Sequence, residues 1–280
     1  MCPEFARSPV VVYSDGARDP ATHAAVAATR AVVRTMLPAA RVVEAEANRG
    51  LAASIIAGVD ALTAEYGRVI VVEDDLVVHQ CFLAFMNAAL DRYADAEKVM
   101  QVSGFQHDVA GLTAPVLLPL TTSWGWATWR RAWLLFDPDC AGADRLATDA
   151  ATARRFDLDG AMPYVRMLAR QRAGTIDSWA IRWYWTVFIQ AGLVVYPPAS
   201  LVTNEGFDGS GTHGVASIRT KVAFQSAETL ADAFAFPAEV ACDHVALGKV
   251  RIAARRDFGG GNIVVKIARA MRARLAAPPR

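Results

Sequence analysis

Long apolar runs are missing from this chain of 280 residues, although 54% of it is hydrophobic. A bilayer span needs about 20 consecutive apolar residues. The unbroken stretches here are only a few residues long, so no membrane-crossing segment is expected. No basic-then-apolar leader with a cleavage site precedes Val10, and the expected location is cytoplasmic. Cysteine is scarce: Cys2, Cys81, Cys140 and Cys242 stand far apart with no CxxC pair, which excludes a zinc-finger spacing and a disulfide framework. An excess of one charge is missing too. Lys plus Arg number 29 against 28 Asp plus Glu, a net of +1, so no nucleic-acid partner is expected. Neither GxGxxG nor GxxxxGK[ST] occurs, which removes the dinucleotide and P-loop fingerprints. Lysine is nearly absent from the first half, where Lys98 stands alone. That counts against a nucleotidyltransferase, which needs a lysine near the reacting phosphate.

What is present is a chain rich enough in apolar residues to exclude global disorder, at 20% charged, and long enough for one large domain or two small ones. The charge is unevenly placed. From Lys249 to Arg280 there are nine bases and one acid, Asp257, a net of +8, and the preceding 248 residues carry a net of −7. This divides the chain into a body over residues 1–248 and a basic tail over 249–280. The tail has apolar residues Ile263, Val264, Ile267, Met271 and Leu275 at helical spacing. A membrane-surface helix and a solvated C-terminal helix both fit it, the first giving peripheral contact with the inner face of the membrane.

The first half alternates strand and helix. Val10–Tyr13 is an apolar run that ends at Ser14-Asp15-Gly16, and Asp19-Pro20 supplies an N-cap and a first-turn proline for a helix reaching about Met36. Arg41–Glu46 is the next strand candidate. After Asn48-Arg49-Gly50 comes a helix with Leu51, Ile55, Val59 and Leu62 on one face. Arg68–Val72 is a β-branched run suited to a strand buried on both sides, a helix follows over about Gln80–Tyr93, and Val99–Ser103 is another strand. The alternation predicts a mostly parallel, Rossmann-like α/β sheet flanked by helices. Ligands of such sheets bind beyond the carboxyl ends of the strands. Ser14-Asp15-Gly16, Asn48-Arg49-Gly50 and Glu73-Asp74-Asp75 would then share one rim.

Three consecutive acids repel one another unless a cation joins them. Oxygen ligands suit Mg2+ or Mn2+, which take one or two carboxylates and complete their shell with water and phosphate oxygens. An acidic loop capping the following helix is the plainer alternative. All 7 tryptophans lie between Trp124 and Trp185. Indole faces pack on the apolar faces of sugar rings, which makes Trp124 and Trp126, on either side of Gly125, pocket-wall candidates. Trp129 and Trp133 are expected in the core. Arg130 and Arg131 are adjacent, so at most one faces a bound diphosphate. His23, His79, His107 and His244 show no partner pattern and are expected to be structural.

The segment SWGWATWRRAW, with VVYSDGARD, NRGLAASI, VIVVEDDLVV and NEGFDGSGTH in the same order, resembles bacterial nucleotide-diphospho-sugar transferases. These are glycosyltransferases of the A-type fold, distantly similar to N-acetylglucosaminyltransferase I. The resemblance runs from about Val10 to His213. Family members carry a further strand and helix ahead of the segment matching Val10, so this chain is expected to lack that first strand and helix. The resemblance implies metal-dependent, inverting transfer of a sugar from a nucleoside-diphosphate donor to an acceptor hydroxyl. A glycan or lipid-linked acceptor in bacterial surface polysaccharide or glycoconjugate synthesis is implied with it.

Residue by residue, Asp15, with Ser14 and Gly16 beside it, matches the aspartate that holds the nucleotide base. Asn48 and Gly50 match the turn lining the nucleotide pocket. Asp74 matches the acid near the ribose and Asp75 the metal ligand, while Gly125 and Trp126 match the loop beside donor sugar and acceptor. Asp177, in IDSWAIRW, stands where the distant relative carries its general base; from the residues alone it is equally an N-cap of the helix from Ser178 onward, and since a base can also cap, both roles together are expected. His213, in a glycine-rich segment, is either a phosphate contact or extra metal ligand, or a solvated loop residue. The alternative reading is a catalytically inactive nucleotide-sugar or glycan-binding remnant.

Overall fold

A computed structural model of the chain describes residues 2–206 and 234–259. The expected local elements form. β1 (Val11–Ser14) leads to Asp19, whose carboxylate accepts from the Thr22 amide at 3.0 Å while the Thr22 hydroxyl accepts from the Asp19 amide, a capping box. Pro20 then opens a short 3-10 turn that continues as α1 (His23–Met36). β2 (Arg41–Glu44) pairs in parallel with β1. α2 (Leu51–Tyr66) ends at Gly67, which takes the left-handed conformation (φ +75°) and starts β3 (Arg68–Val71). A strand that the sequence pattern does not announce, β4 (Leu76–Val78), precedes α3 (Phe82–Arg92) and β5 (Val99–Ser103).

Beyond these come β6 (Val116–Leu118), β7 (Trp126–Trp129), α4 (Arg130–Trp133), α5 (Arg145–Thr148), α6 (Ala150–Phe156) and α7 (Tyr164–Arg172). α8 (Trp179–Ile189), β8 (Leu193–Tyr196), β9 (Val202–Asn204) and α9 (His244–Ala254) follow, with short helical turns at Pro3–Arg7 and Arg255–Gly259.

The topology corrects the expectation of one mostly parallel, Rossmann-like sheet of the A-type glycosyltransferase kind. The strands form three separate sheets. β1 and β2 stand by themselves, and β4 pairs antiparallel with β9. The main sheet has the order β3-β7-β5-β8-β6, in which only β5 and β8 run parallel. The physical reason lies in the tryptophan segment. Trp-Ala-Thr-Trp is short, aromatic and β-prone, and as β7 it inserts antiparallel between β3 and β5, which a parallel reading would make neighbours. β1, which would continue a parallel sheet, pairs with β2 rather than β3.

Alternation along the strands sorts the core into two layers. Val69, Trp126, Val116, Leu118, Val194 and Tyr196 face one layer with α8 and α9; Ala127, Trp129, Leu117, Leu193 and Val195 face the other with α3. A register shift between Val99 and Gln101 lets Val99 and Val102 point to the same side. Trp126, Trp183 and Trp185 are all fully buried, and truncating side chains of this kind typically costs about 3–5 kcal/mol. By contrast, α1 carries no buried residue and β1 is only half-buried. α9 packs Leu247, Val250, Ala253 and Ala254 into the core, so the helix runs continuously across position 248 into the basic segment.

Candidate functional site

The carboxyl ends of β1 and β2 are tied together by Asp15. One oxygen accepts the amides of Gly16 and Arg49, both at 2.8 Å, and the other accepts the Gly50 amide at 2.9 Å. Three of the roughly four acceptor positions of a carboxylate are thus taken by backbone. Asn48 adds a bond from its amide to the Gly16 carbonyl at 3.1 Å. Gly16 has to be glycine, since a Cβ there would collide with the Ala47 backbone. The two loops behave as one rigid corner beside a shallow depression lined by Tyr13, Ser14, Asp15, Arg49, Ser54 and Ala57.

Arg30, which the sequence reading passes over, organises this corner from beneath. From α1 its Nε donates to Ser14 Oγ at 3.0 Å and its Nη2 to the carbonyls of Asp15 (3.1 Å) and Ala45 (2.8 Å), while Nη1 pairs with Glu44 at 3.2 Å. The available signal is its place in the i, i+4, i+7 pattern of Val26, Arg30 and Val33, the half-buried side of an Ala-rich helix. Arg30→Ala is expected to lower stability by about 2–3 kcal/mol, because it strands several acceptors that a planar fork satisfies together. Arg30→Lys should recover only part of that in denaturant titration. A parental midpoint for Arg30→Ala would remove this organising role.

The acidic triplet is not bonded to this corner but to β9. Asp75 Oδ2 accepts from Asn204 Nδ2 at 3.1 Å, the Asp75 carbonyl accepts from the Glu205 amide at 2.8 Å, and Asn204 Oδ1 accepts from the Gly206 amide at 2.7 Å. A Cβ on Gly206 would lie 2.5 Å from Asp75 Oδ2, so only glycine lets the backbone come this close. Asp75 Oδ1 is buried and has no partner among the described residues. Asp74 is exposed. Burial, and then the charges of Asp75 and Asp74, push the Glu73 carboxyl from the ordinary 4.5 up to about 7.

The native state therefore holds the Glu73 proton more tightly than the unfolded chain, and stability should fall as pH rises from about 4.5 to about 7. Glu73→Gln should melt like the parent near pH 4 and exceed it above pH 8 by up to about 3 kcal/mol. Equal melting shifts with pH in both proteins would contradict the assignment.

Asp177 lies across from the Asp15 corner: its Oδ2 is 3.8 Å from where a Cβ on Gly50 would be. Its other oxygen pairs with Arg182 Nη2 at 3.0 Å. The capping alternative is corrected, because Ser178 caps α8 through the Ile181 amide. Arg182 is largely buried, with 14% of its side chain exposed, whereas 61% of Asp177 is exposed, so the buried cation orients an accessible carboxylate.

The tryptophan loop divides differently from the expectation. Trp126 is not a pocket wall: its side chain is fully buried, stacked on Trp179 at 4.8 Å and packed against Trp133 and Trp183. Gly125 is buried too and accepts the Gly104 amide at 2.6 Å. Trp124 remains half-buried, edge-on to Phe105 at 4.8 Å. Trp129 and Trp133 are core residues whose indole N–H groups donate to Leu90 O and Asp60 Oδ1. Arg131 stacks on Trp129 and donates to the carbonyls of Tyr93, Ala94 and Val99, leaving Arg130 as the exposed member of the pair. His79 Nδ1 accepts the Cys81 amide and His107 Nδ1 meets Asp257 at 3.0 Å, which are structural placements. His213 lies outside the described residues.

No His, Cys, Asp and Glu cluster of three or more able to hold a metal occurs among the described residues. What the acidic site offers is one hard carboxylate oxygen without a partner among the described residues, Asp75 Oδ1, which fits a cation that draws most of its shell from water and phosphate. No known protein family and no curated protein matches this chain.

Proposed function

We propose that this protein is a metal-dependent glycosyltransferase that moves a sugar from a nucleoside-diphosphate donor to an acceptor hydroxyl with inversion. The observation that carries the reading is the approach of Asp177, held by Arg182, to the Asp15–Gly50 corner from a distant part of the chain. The resemblance of SWGWATWRRAW and its companion segments to nucleotide-diphospho-sugar transferases adds weight.

In this reading the corner built by Asp15, Asn48 and Arg30 supplies a rigid wall for the nucleotide, with Tyr13 and Arg49 at its rim. Asp75 would hold Mg2+ or Mn2+, which would supply positive charge against the leaving diphosphate. Asp177 takes the proton of the acceptor hydroxyl as that oxygen attacks the anomeric carbon from the face opposite the diphosphate. The Arg182 ion pair fixes the direction of the carboxylate, which lowers the cost of ordering it for the reaction. A glycan or lipid-linked acceptor fits the open, exposed setting of Asp177.

Incubation with a panel of nucleotide sugars and glycan acceptors should release nucleoside diphosphate in the presence of Mn2+, and chelation should stop it. Donor binding without diphosphate release across the panel would favour a nucleotide-sugar-binding module instead. The separation of β1 and β2 from the main sheet favours that second reading.

A further inference from the structure

We propose that the outward face of α9 docks this protein on an anionic bilayer surface. Val245 and Ile252 are 73% and 70% exposed, although both sit on a helix whose other side is core. They are seven residues apart, two turns along one line. Lys249 lies between them, and Arg256 is exposed in the π-helical turn that follows α9. Ala246, Leu247, Val250, Ala253 and Ala254 are buried, so packing fixes which face looks outward. Isolated exposed apolar side chains are ordinary. Two in register, interleaved with bases, make the pattern of a helix lying in a membrane interface.

Charge selects the occupant. Residues 260–280 carry five bases and no acid, and Lys249–Arg280 as a whole has a net of +8 against −7 for the remainder. Part of the basic charge on the described helix is answered locally. Arg251 pairs with Asp159 at 2.6 Å and Arg256 with Asp257 at 2.9 Å. Lys249 donates to a neutral carbonyl, that of Ala110, at 3.3 Å, and has no acidic partner among the described residues. A negatively charged surface attracts this end and repels the acidic body, which orients the molecule with α9 against lipid. No helix among the described residues is long and apolar enough to cross a membrane, so the contact is peripheral.

Flotation of the full chain with vesicles tests this. Binding is expected to vesicles of phosphatidylglycerol with phosphatidylcholine, but not to phosphatidylcholine alone, and to weaken with added salt. The double substitution Val245→Glu and Ile252→Glu should cut partitioning at least about tenfold without changing the melting temperature, because both positions are exposed. Should that protein fail to fold, Lys249→Glu provides the same comparison at a single exposed position. Unchanged partitioning of these variants would overturn the proposal. So would equal binding to both vesicle types, no binding to either, or retention of RNA without retention of vesicles. Since flotation needs no nucleotide, its outcome is independent of the transferase reading.

Discussion

Replacing Asp75 with asparagine is expected to abolish metal-dependent nucleotide binding while leaving the fold at least as stable as the parent. Two opposite consequences follow from one geometry. Asp75 Oδ1 is buried without a partner among the described residues, beside Glu73 and Asp74, so in the metal-free protein the second carboxylate oxygen contributes repulsion and an unmet desolvation cost. Asparagine keeps an acceptor for Asn204 Nδ2 and removes the charge. The expected change in stability runs from neutral to about 1–2 kcal/mol in favour of the variant. Affinity for a nucleoside diphosphate in the presence of Mn2+ should fall at least about a hundredfold, since even outer partners of a metal site cost up to that much. Calorimetry and thermal denaturation on the same samples read both effects. A variant that is strongly destabilised, or that binds with parental affinity, would remove Asp75 from the site.

The second large effect concerns Asp177. Asp177→Asn should lower kcat by about 10²- to 10⁴-fold, the range of a positioned general base, with donor affinity little changed. Stability should fall by only about 1–2 kcal/mol, because asparagine keeps an oxygen able to accept from the largely buried Arg182, whose Nε also donates to the Ser178 carbonyl at 3.2 Å. Arg182→Ala should reduce kcat less than Asp177→Asn does and shift the pH–rate profile, the mark of a residue acting through another. Transfer by Asp177→Asn at the parental rate would exclude the base role.

How far the molecule was legible from sequence varies with the range of the interaction. The Asp19 capping box, the helix after Gly50 and the strands at Arg68–Val71 and Val99–Ser103 depend on neighbours a few residues away, and periodicity and capping residues reveal them. The sheet order does not, because whether β3 pairs with β1 or with β7 is decided by which distant strand buries its faces best, a matter no local pattern encodes. The same applies to Trp126. Its place in a conspicuous motif marks it as special, but only the packing of α8 shows that its ring fills the core.

Within the candidate site, Asp15, Asn48 and Gly50 are legible as loop residues following strands. Their mutual hydrogen bonds and the Arg30 hub beneath them are not, since an arginine in an Ala-rich helix ordinarily faces water. Asn204 and Gly206 gain meaning only once β9 lies beside β4.

Thermal denaturation of the parent and Asp75→Asn proteins with nucleotide sugars, in Mn2+ and in chelator, reads metal-dependent donor binding at Asp75. A donor at a hundred times its dissociation constant stabilises the native state by about 2.7 kcal/mol, a rise of roughly 5 °C or more for a chain of this size. That rise is expected for the parent with at least one nucleoside-diphosphate sugar, only in Mn2+ and not in the variant. No shift with any donor, or an equal shift with and without metal, would contradict it.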